Sequence, residues 1–548
     1  MIATIRLLGD RALLVDLADL GSVLALRAAL TGTRPAGVLD IVPAARTLAV
    51  MVDPARLPLD SARTWLEHAL DEIAAERGSD AGARDAGDET TVVIDVVYDG
   101  DDLAEVEGLT GIPAAEIVRR HTEAAWRVAF GGFAPGFGYL VTDDDWFEVP
   151  RRAAPRTVVP EGAVGLAGPF SGVYPRQGPG GWRLIGRTDV PLWRPTDARP
   201  ALLAPGTRVR FRAVEELSGT ARPESDSSPD ASVRSSADAD LGAETQPGAQ
   251  AEAGAETPSL TVVSAGMLLL IEDLGRTGSA SIGAGRSGAL DRGALRLGNR
   301  LVGNVEAAAG LEVAFGARLR FERSTWFAVT GARGRLTLNG HPIEPDAALP
   351  AAPGDLLELG AAEHGLRYVV ALRGGVRAPL TLDSASTDVG ARIGPDPLRD
   401  GDSIALGTDT AGGIPAVDAL TVWSPPDDEV DVHVVPGPRQ DWFDAASVAD
   451  FYDVAWEVTQ ASNRVGMRLR SRDGVVLRRA STLAAAELPS EPMVPGAIQV
   501  PPSGEPTVLL ADGPVTGGYP VIAVVADADL DLFAQLRPDQ RVRFRHAR

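Results

Sequence analysis

Apolar and polar positions change their pattern along the chain. In residues 1–76 the runs ALLVDL, GVLDIV and TLAVMV predict strands, whereas SVLALRAAL and SARTWLEHAL carry apolar residues at helical spacing, with Ser61 near the start of the second helix. These elements indicate a small α/β unit. Residues 90–213 and 260–546 show short Val-, Ile- and Leu-rich runs between Pro and Gly, which is typical of β-barrels or sandwiches.

A polar segment separates the two β-rich regions. Residues 214–259 contain almost no large apolar side chains and many Ser, Ala, Pro, Gly and acidic residues, a composition that predicts a disordered acidic linker. The predicted fold is therefore mainly β (α+β), with two β-barrel units and a small N-terminal α/β domain. The predicted domains are 1–76, 90–213 and 260–546, with the linker at 214–259.

Four short sequence words recur in the same order on both sides of the linker. AWRV at 125, EGAVGL at 161, GGWRLIG at 180 and GTRVRF at 206 return as AWEV at 455, PGAIQV at 495, GGYPVIA at 517 and DQRVRF at 539. This repetition at nearly matching spacings indicates a duplicated β-rich unit. Two related barrels would leave a cleft between them, and ligand sites often lie between domains.

Composition excludes several classes of chemistry. The 548-residue chain has no cysteine and no lysine, so all 52 basic residues are arginine. Thiolate nucleophiles, a P-loop lysine, a pyridoxal Schiff base and covalent biotin on this chain are therefore excluded. A net charge of −23 argues against nucleic acid and anionic membranes as partners. The N-terminal sequence resembles no secretory signal and no long apolar run is present, so we expect a cytoplasmic protein.

Three places in the chain carry candidate site residues, each with a structural alternative. The stretch GGFAPGFGYL at 131–140 predicts a rigid Pro-Gly loop that either presents backbone N–H groups to a ligand or packs as a barrel turn. His121 ends a predicted helix, where it is a cap or a proton-transfer group, and Asp102 either orients it or caps a helix. Asn463 and Arg464 either bind an anion or form a turn with Asn in the left-handed region.

Two other groups of residues are interpreted structurally. Ser287 and Asp291 precede a helical stretch and are read as helix-capping and packing residues. The histidines other than His121 show no spacing typical of metal ligands, and we expect no structural metal.

Longer motifs in both halves resemble known families. HTEAAWRVAFGGFAPGFGYL, VPRRAAPRTVVPEGAVGLAG, GPGGWRLIGRT and LAPGTRVRF resemble the carboxyltransferase C/D family, which includes the B component of 5-oxoprolinase and the kinase inhibitor KipI. LIEDLGRTG, SGALDRGALRLGNRLVGN, SNRVGMRL, PGAIQVPPSG and VTGGYPVIAVV resemble the carboxyltransferase A/B family, which includes the C component of 5-oxoprolinase and KipA. Both families are similar to the carboxyltransferase part of urea carboxylase, and this similarity implies cyclophilin-like barrels around a shared site.

The resemblance implies part of an ATP-dependent lactam hydrolase that opens 5-oxo-L-proline to L-glutamate. It implies ATP, with Mg²⁺, and a third 5-oxoprolinase component of the LamB/YcsF type, besides the small-molecule substrate; a homo-oligomer is compatible with it. The implied catalytic residues are His121, Asp102 and Asn463. The implied binding residues are Gly132, Phe133, Pro135, Gly136, Phe137, Tyr139, Arg464, Gly517, Gly518 and Tyr519.

Departures from the family pattern keep two other functions open. Many A/B members carry Arg and Gln at the positions of Gly513 and Pro514, and many carry Arg at the position of Ala385. These losses favour a regulatory binding protein of the KipI/KipA type that acts on a sensor histidine kinase. The other alternative is the carboxyltransferase component of a biotin-dependent enzyme resembling urea carboxylase, with biotin on a separate carrier.

Overall fold

The computed structural model describes residues 3–78, 91–143, 148–152, 154, 156–217, 258–415, 428–484 and 486–547. Strands predominate in these ranges and form barrel-like sheets beside a small α/β unit, which confirms the predicted mainly β fold. Most of the predicted linker, residues 218–257, lies outside the described residues.

The N-terminal unit is an antiparallel sheet covered by two helices. Its strands lie in the order β1-β2-β4-β3, and Val23, Leu26 and Leu30 of the first helix pack with Leu66 of the second in one core. Asp19 caps the first helix by accepting a hydrogen bond from the Ser22 N–H at 2.7 Å. The elements are β1 (Thr4–Leu7), β2 (Ala12–Asp16), β3 (Val38–Pro43), β4 (Thr47–Val52), α1 (Leu20–Gly32) and α2 (Leu59–Gly78).

The rest of the first half is a curled seven-stranded sheet in the order β12-β9-β10-β7-β6-β13-β5. A bridge between Val97 and Arg187 joins its two ends, so the sheet approaches a closed barrel. The elements are β5 (Thr91–Val96), β6 (Trp126–Gly131), β7 (Gly138–Val141), β8 (Arg156–Val159), β9 (Ala163–Ala167), β10 (Phe170–Val173), β11 (Gly178–Gly180), β12 (Arg183–Arg187), β13 (Arg208–Ala213), α3 (Leu103–Thr110) and α4 (Ala114–Glu123).

The second half begins with a ten-stranded sheet. Asp291 caps its helix by accepting from the Ala294 N–H at 2.8 Å, as the sequence predicts. The elements are β14 (Leu260–Ser264), β15 (Leu268–Glu272), β16 (Gly310–Ala314), β17 (Ala317–Phe321), β18 (Thr325–Leu338), β19 (His341–Pro342), β20 (Leu349–Ala351), β21 (Leu356–Leu372), β22 (Val376–Arg377), β23 (Ser403–Leu406) and α5 (Arg292–Leu301).

A closed barrel completes the second half, with the strand order β24-β31-β28-β29-β26-β25-β32. Its strands are β24 (Glu429–Pro436), β25 (Trp456–Val458), β26 (Gly466–Ser471), β28 (Ala497–Gln499), β29 (Thr507–Leu509), β31 (Val521–Val525) and β32 (Arg541–His546). The same region contains helix α6 (Ala445–Asp453) and a separate two-stranded sheet of β27 (Glu491–Pro492) and β30 (Thr516–Gly517).

The two barrels have the same topology, as the repeated words predict. Each begins with a strand that pairs in parallel with the last strand, β5 with β13 and β24 with β32. The tryptophan of each AW pair repeats its contact as well: the indole N–H of Trp126 donates to the His121 carbonyl at 2.9 Å, and that of Trp456 donates to the Phe451 carbonyl at 3.0 Å. His121 and Phe451 are therefore equivalent positions in the two copies.

The two halves pack against each other through apolar and charged contacts. Leu8, Leu14 and Ala49 of the N-terminal sheet share a core with Met493 and Val524 of the second barrel. Arg439 binds Asp16 across the interface, with Nη1 at 3.2 Å from Oδ2, and its Nε donates to Glu491 at 2.9 Å. These contacts join residues that are more than 400 positions apart, so the halves form one body without help from the linker.

Cleavage of the linker is therefore expected to leave the halves associated. The composition of segment 214–259 predicts too little apolar burial to offset its ordering entropy, and a tether of the predicted kind would raise only the local concentration of the halves. Brief proteolysis should cut within this segment and give two fragments that elute together on a sizing column at micromolar concentration. Separation of the fragments would contradict the interface described above.

Candidate functional site

The Pro-Gly loop of the first half lies at the junction with the second half. The Phe133 N–H donates to Thr516 Oγ1 at 2.9 Å, and the Gly136 N–H donates to the Ile282 carbonyl at 3.1 Å. A Cβ on Gly132 would lie 2.3 Å from Thr516 Oγ1, and Gly136 has φ of +79°. Gly132 must be glycine because Thr516 approaches it closely, and Gly136 must be glycine because its backbone is left-handed. The loop thus presents its N–H groups to protein partners.

The predicted apolar wall of this loop is mostly core. Phe137 is 1% exposed and Tyr139 is 4% exposed, and both pack edge-on against Trp182. Pro135 is also buried, whereas Phe133 is 37% exposed and has a left-handed backbone with φ of 64°. Burial raises the pKa of Tyr139, and hydrogen bonds with Ser490 and Thr516 oppose that shift. Of the predicted aromatic residues in this loop, Phe133 alone is placed to contact a ligand.

The GGY stretch of the second half lies beside the same loop. Gly517 follows Thr516 in β30, which pairs with β27, and a Cβ on Gly517 would lie 3.1 Å from the Met493 side chain. A Cβ on Gly518 would lie 3.5 Å from the Leu488 carbonyl, and Tyr519 is 41% exposed. The two predicted loops are therefore brought together through Thr516.

His121 lies inside the first barrel and not in the cleft. It is 0% exposed, its Nδ1 is 2.7 Å from the Tyr98 hydroxyl and its Nε2 is 2.8 Å from Ser171 Oγ. Its ring stacks on Phe211 at 4.3 Å, as Phe451 stacks on Phe544 in the other copy. The ring is therefore a core residue in this arrangement, and the role of His121 as a general base stays a prediction.

Asp102 does not orient His121, which corrects the second catalytic prediction. It occupies the N-cap position of α3 but makes no capping bond; its carboxylate binds Arg152 at 2.9 Å and Arg156 at 2.7 Å, and accepts from the Leu184 N–H at 2.8 Å. Burial favours the neutral acid, but the bonds from Arg156 and Leu184 outweigh it and hold the pKa of Asp102 below its usual value. Asp102 therefore joins α3 to the barrel wall.

His121 should make stability depend on pH. Burial lowers its pKa to about 3, so the folded chain keeps the ring neutral while the unfolded chain protonates it below about pH 6.5. Its contribution to the unfolding free energy should fall by about 1.4 kcal/mol per pH unit as pH drops from 6.5 towards 3. Denaturant melts at pH 7 and pH 5 should show a smaller pH effect in His121→Phe than in the wild type. The exposed His68→Phe variant should keep the wild-type effect; equal effects in all three chains would contradict this assignment.

Asn463 and Arg464 occupy the loop equivalent to the Pro-Gly loop, but they serve the protein itself. Asn463 Oδ1 accepts from the Val465 N–H at 2.9 Å and from the Gly466 N–H at 3.1 Å, and its backbone is not left-handed. Arg464 forms a two-point contact with Asp512, from Nε at 2.8 Å and Nη2 at 3.0 Å. Both side chains therefore bond to the protein itself in this geometry, and a catalytic Asn463 and a ligand-binding Arg464 stay predictions.

Arg464 is the centre of a buried acidic cluster, which we define as Glu272, Glu312, Asp512, Arg464 and Arg367. Arg464 Nη1 donates to Glu312 at 2.7 Å, and its Nη2 is 3.2 Å from Glu272 Oε1. Burial raises the pKa of Glu272 well above its usual value, and Arg464 opposes this shift. Three carboxylates face two guanidinium groups, so Arg464 holds together charges that would otherwise repel.

A second group of polar residues lies near this cluster and opens toward the surface. Asp388 is 3% exposed, but Val389 beside it is 44% exposed, and a Cβ on Gly390 would lie 3.5 Å from Val465. Arg276 is 2% exposed; its Nη2 donates to the Ser386 carbonyl at 2.6 Å, whereas its Nε and Nη1 have no hydrogen-bond partner. Unpaired buried donors are costly, so these two N–H groups point to a ligand or water.

The electrostatics of this group suit acid–base chemistry. Burial raises the pKa of Asp388 to about 6; Asp512 adds to the shift, and the Ala391 N–H and Arg276 oppose it. A carboxyl with a pKa near neutrality can take a proton and release it again at physiological pH. Burial lowers the pKa of Arg276, and the charge of Asp388 is the strongest influence opposing that shift.

An arginine of the first half lies within electrostatic range of Asp388. Arg176 follows β10, and the charges that act on it are those of Asp388 and Arg392, both in the second half. Burial lowers the pKa of Arg176, and Asp388 opposes that change. We call Asp388, Arg276, Arg176 and Arg392 the Asp388 site. It has one carboxylate, three arginines and contributions from both halves.

The sequence contains weak signals for this site that the motif analysis misses. Arg276 lies in the motif LIEDLGRTG, and Asp388 directly follows SAST, where Ser384 and Ser386 both donate to Asp273. Arg176 lies in VYPRQG, a stretch that by itself indicates no function. Ser287, predicted as a capping residue, instead donates to Asp512 at 2.7 Å.

Two properties of the described residues bear on partners. Among these residues, no group of three or more His, Asp or Glu side chains is arranged to hold a metal ion. Within the same ranges, no helix has both the length and the apolar composition needed to cross a bilayer.

Comparison with known proteins gives matches in both halves. The family "Carboxyltransferase domain, subdomain C and D" matches residues 3–203, and "Carboxyltransferase domain, subdomain A and B" matches residues 282–546. Over 290 residues the chain is 36% identical to the C component of Escherichia coli 5-oxoprolinase, covering 52% of this chain and 90% of that protein. Over 193 residues it is 34% identical to the B component of Bacillus subtilis 5-oxoprolinase, covering 33% of this chain and 77% of that protein.

Two further matches differ in how much of this chain they cover. Urea amidolyase of Lachancea kluyveri is 31% identical over 304 residues, which are 52% of this chain but 16% of that protein. The crystal structure of TTHA0988 superposes with a TM-score of 0.78 at 31% identity and covers 98% of this chain and 99% of that one. The chain therefore belongs to the carboxyltransferase-domain family of the B and C components of 5-oxoprolinase, and it joins modules of both kinds in one polypeptide.

Proposed function

We propose that the chain is the fused B/C component of an ATP-dependent 5-oxoprolinase and acts with a third subunit on 5-oxo-L-proline. The observation that carries this proposal is the Asp388 site, where two buried nitrogen atoms of Arg276 have no hydrogen-bond partner and Arg176 of the other module lies within electrostatic range of Asp388. Relatives of both modules bear the name 5-oxoprolinase. The overall reaction consumes ATP and two water molecules and yields glutamate, ADP and phosphate.

The proposed roles follow from charge and burial. A lactam is a poor electrophile, and ATP supplies a phosphoryl group that turns the carbonyl oxygen into a leaving group. Arg276, with two unpaired donors, binds negatively charged oxygen atoms, and Arg176 adds a second positive charge from the opposite half. Asp388 accepts the proton of the attacking water, which is the role that the family resemblance implies for His121.

Reconstitution tests this proposal. The whole chain, the third subunit, ATP and 5-oxo-L-proline are incubated, and glutamate and ADP are measured in the same sample. We expect ADP and glutamate to form in equal amounts and to require all components. Absence of glutamate above the level seen without the third subunit would contradict the proposal.

A regulatory role is the second candidate, because this chain lacks side chains that many family members carry. Gly513 and Pro514 replace an Arg and a Gln and border a cavity, and the buried Ala385 replaces another Arg. A protein of that kind would bind a sensor kinase and alter its autophosphorylation without forming glutamate. Co-purification with a kinase, together with a changed autophosphorylation rate and no glutamate, would favour this role over the enzyme.

A further inference from the structure

A cavity of about 140 Å³ lies between the two halves and meets the Asp388 site only at Arg276. It is bordered by the N-terminal sheet, the segment 284–292 and the second barrel. Most of its wall is apolar, with Leu39, Met51, Met493, Leu509 and Val524 among the lining residues. Residues from both halves therefore border one space suited to a small apolar body.

Arg286 is a charged residue of this cavity that lacks an acidic partner. Its Nε makes one long contact with the Leu274 carbonyl at 3.4 Å, and within the described ranges no carboxylate lies within ion-pair distance of it. Two other arginines on the wall are paired: Arg292 binds Asp527 at 2.8 Å, and Arg11 binds the same carboxylate at 2.5 Å. Arg276, whose Nε and Nη1 have no hydrogen-bond partner, is assigned to the Asp388 site. Asp527 and Asp40 act on Arg286 from a distance, but neither forms an ion pair with it at the edge of this apolar space.

The surrounding charges restrict what can pair with Arg286. Asp40 also lines the cavity, but its oxygens accept the N–H groups of Gly278 at 3.0 Å and Ala280 at 3.1 Å. Asp10 and Asp527 line it as well. A doubly charged phosphate would face these carboxylates, whereas a single negative charge balances the single guanidinium. Burial lowers the pKa of Arg286, and the charge of Arg292 adds to the shift, so an anion beside Arg286 would stabilise its charged form.

We propose that this cavity binds a small organic monocarboxylate with a compact apolar body, its carboxylate paired with Arg286 and its hydrocarbon part against Leu39, Met51 and Met493. Burial of apolar area supplies most of the affinity, and the bidentate contact with the guanidinium fixes the orientation. The proposal concerns binding alone and does not depend on ATP-dependent chemistry.

The test uses the whole chain by itself, without ATP, and measures its melting temperature with cyclopentanecarboxylate as the probe. We expect the probe to raise the melting temperature by on the order of 2 °C at concentrations about tenfold above its dissociation constant. Cyclopentanecarboxamide, which keeps the ring and lacks the charge, and inorganic phosphate, which lacks the ring, should cause no comparable rise.

Two substitutions locate the response. Arg286→Met removes a poorly paired, partly buried charge, so it should raise the melting temperature of the free chain. The variant should also need at least tenfold more probe to give the same rise in melting temperature. The matched control is Arg300→Met, which removes an exposed arginine paired with Glu306 and should keep the wild-type response. Met51→Trp should fill the cavity and abolish the response while Arg286 remains. An undiminished response in Arg286→Met, or an equal response to phosphate, would overturn the proposal.

Discussion

Replacing Arg464 with Met should destabilise the chain by about 3–5 kcal/mol, which is the cost typical of removing one partner from a buried ion pair. The side chain is 5% exposed and contacts Asp512, Glu312 and Glu272. Without it, Arg367, which is 3.3 Å from Glu312, is the one arginine of the described residues left in ion-pair contact with the three buried carboxylates. The free energy of unfolding, measured by urea denaturation, gives the effect directly.

A matched control separates charge from packing. Arg468→Met removes an exposed arginine from β26, four residues away, and should change stability by less than about 0.5 kcal/mol. Adding Asp512→Asn to Arg464→Met should recover part of the loss, because it removes one of the stranded charges. A loss below about 1 kcal/mol in Arg464→Met would show that Arg464 is not the residue that neutralises the cluster.

The second large effect concerns catalysis. Asp388→Asn should lower turnover in the reconstituted assay by on the order of 10²-fold or more, because the amide cannot accept a proton from water. The pKa of Asp388 is raised to about 6, and the active form is the ionised one. The wild-type rate should therefore fall as pH decreases through about 6, and the residual activity of Asp388→Asn should lack this acid limb.

The control for this variant lies on the same loop. Asp383 is an exposed acid five residues earlier with φ of 62°, a conformation that asparagine adopts readily, so Asp383→Asn should leave turnover and its pH profile unchanged. If Asp388→Asn keeps more than half of the wild-type turnover at pH 8, Asp388 is not the base.

Much of the fold is predictable because short stretches of sequence indicate its elements and because the barrel sequence occurs twice. The recurring words mark equivalent strands, and the shared AW pair places Trp126 and Trp456 in the same contact with the preceding helix. The apolar runs of the N-terminal residues predict the α/β unit for the same local reason. Strand pairing between distant segments, such as β5 with β13, follows from the topology and has no local sequence signal.

The site is harder to predict, because its properties arise from long-range packing. His121 lies in a motif to which the family resemblance assigns a function. The equivalent position in the second barrel is Phe451, which stacks on Phe544 as His121 stacks on Phe211, and this equivalence indicates that His121 is a core residue. Asp388 looks like an ordinary loop acid in the sequence; its raised pKa comes from burial and from Asp512, which is more than 100 residues away. The loop at 131–139 does lie between the halves, although its partners there are Thr516 and Ile282.

The most direct test of a site shared by the two halves is the pH profile of kcat/KM for Arg176→Met in the reconstituted assay. Arg187→Met, which removes an exposed arginine paired with Asp99 in the same half, is the control. We predict that Arg176→Met lowers kcat/KM at least tenfold and moves the acid limb above pH 6, since loss of a nearby positive charge raises the pKa of Asp388. An unchanged kcat/KM with the limb still near pH 6 would contradict a site built from both halves.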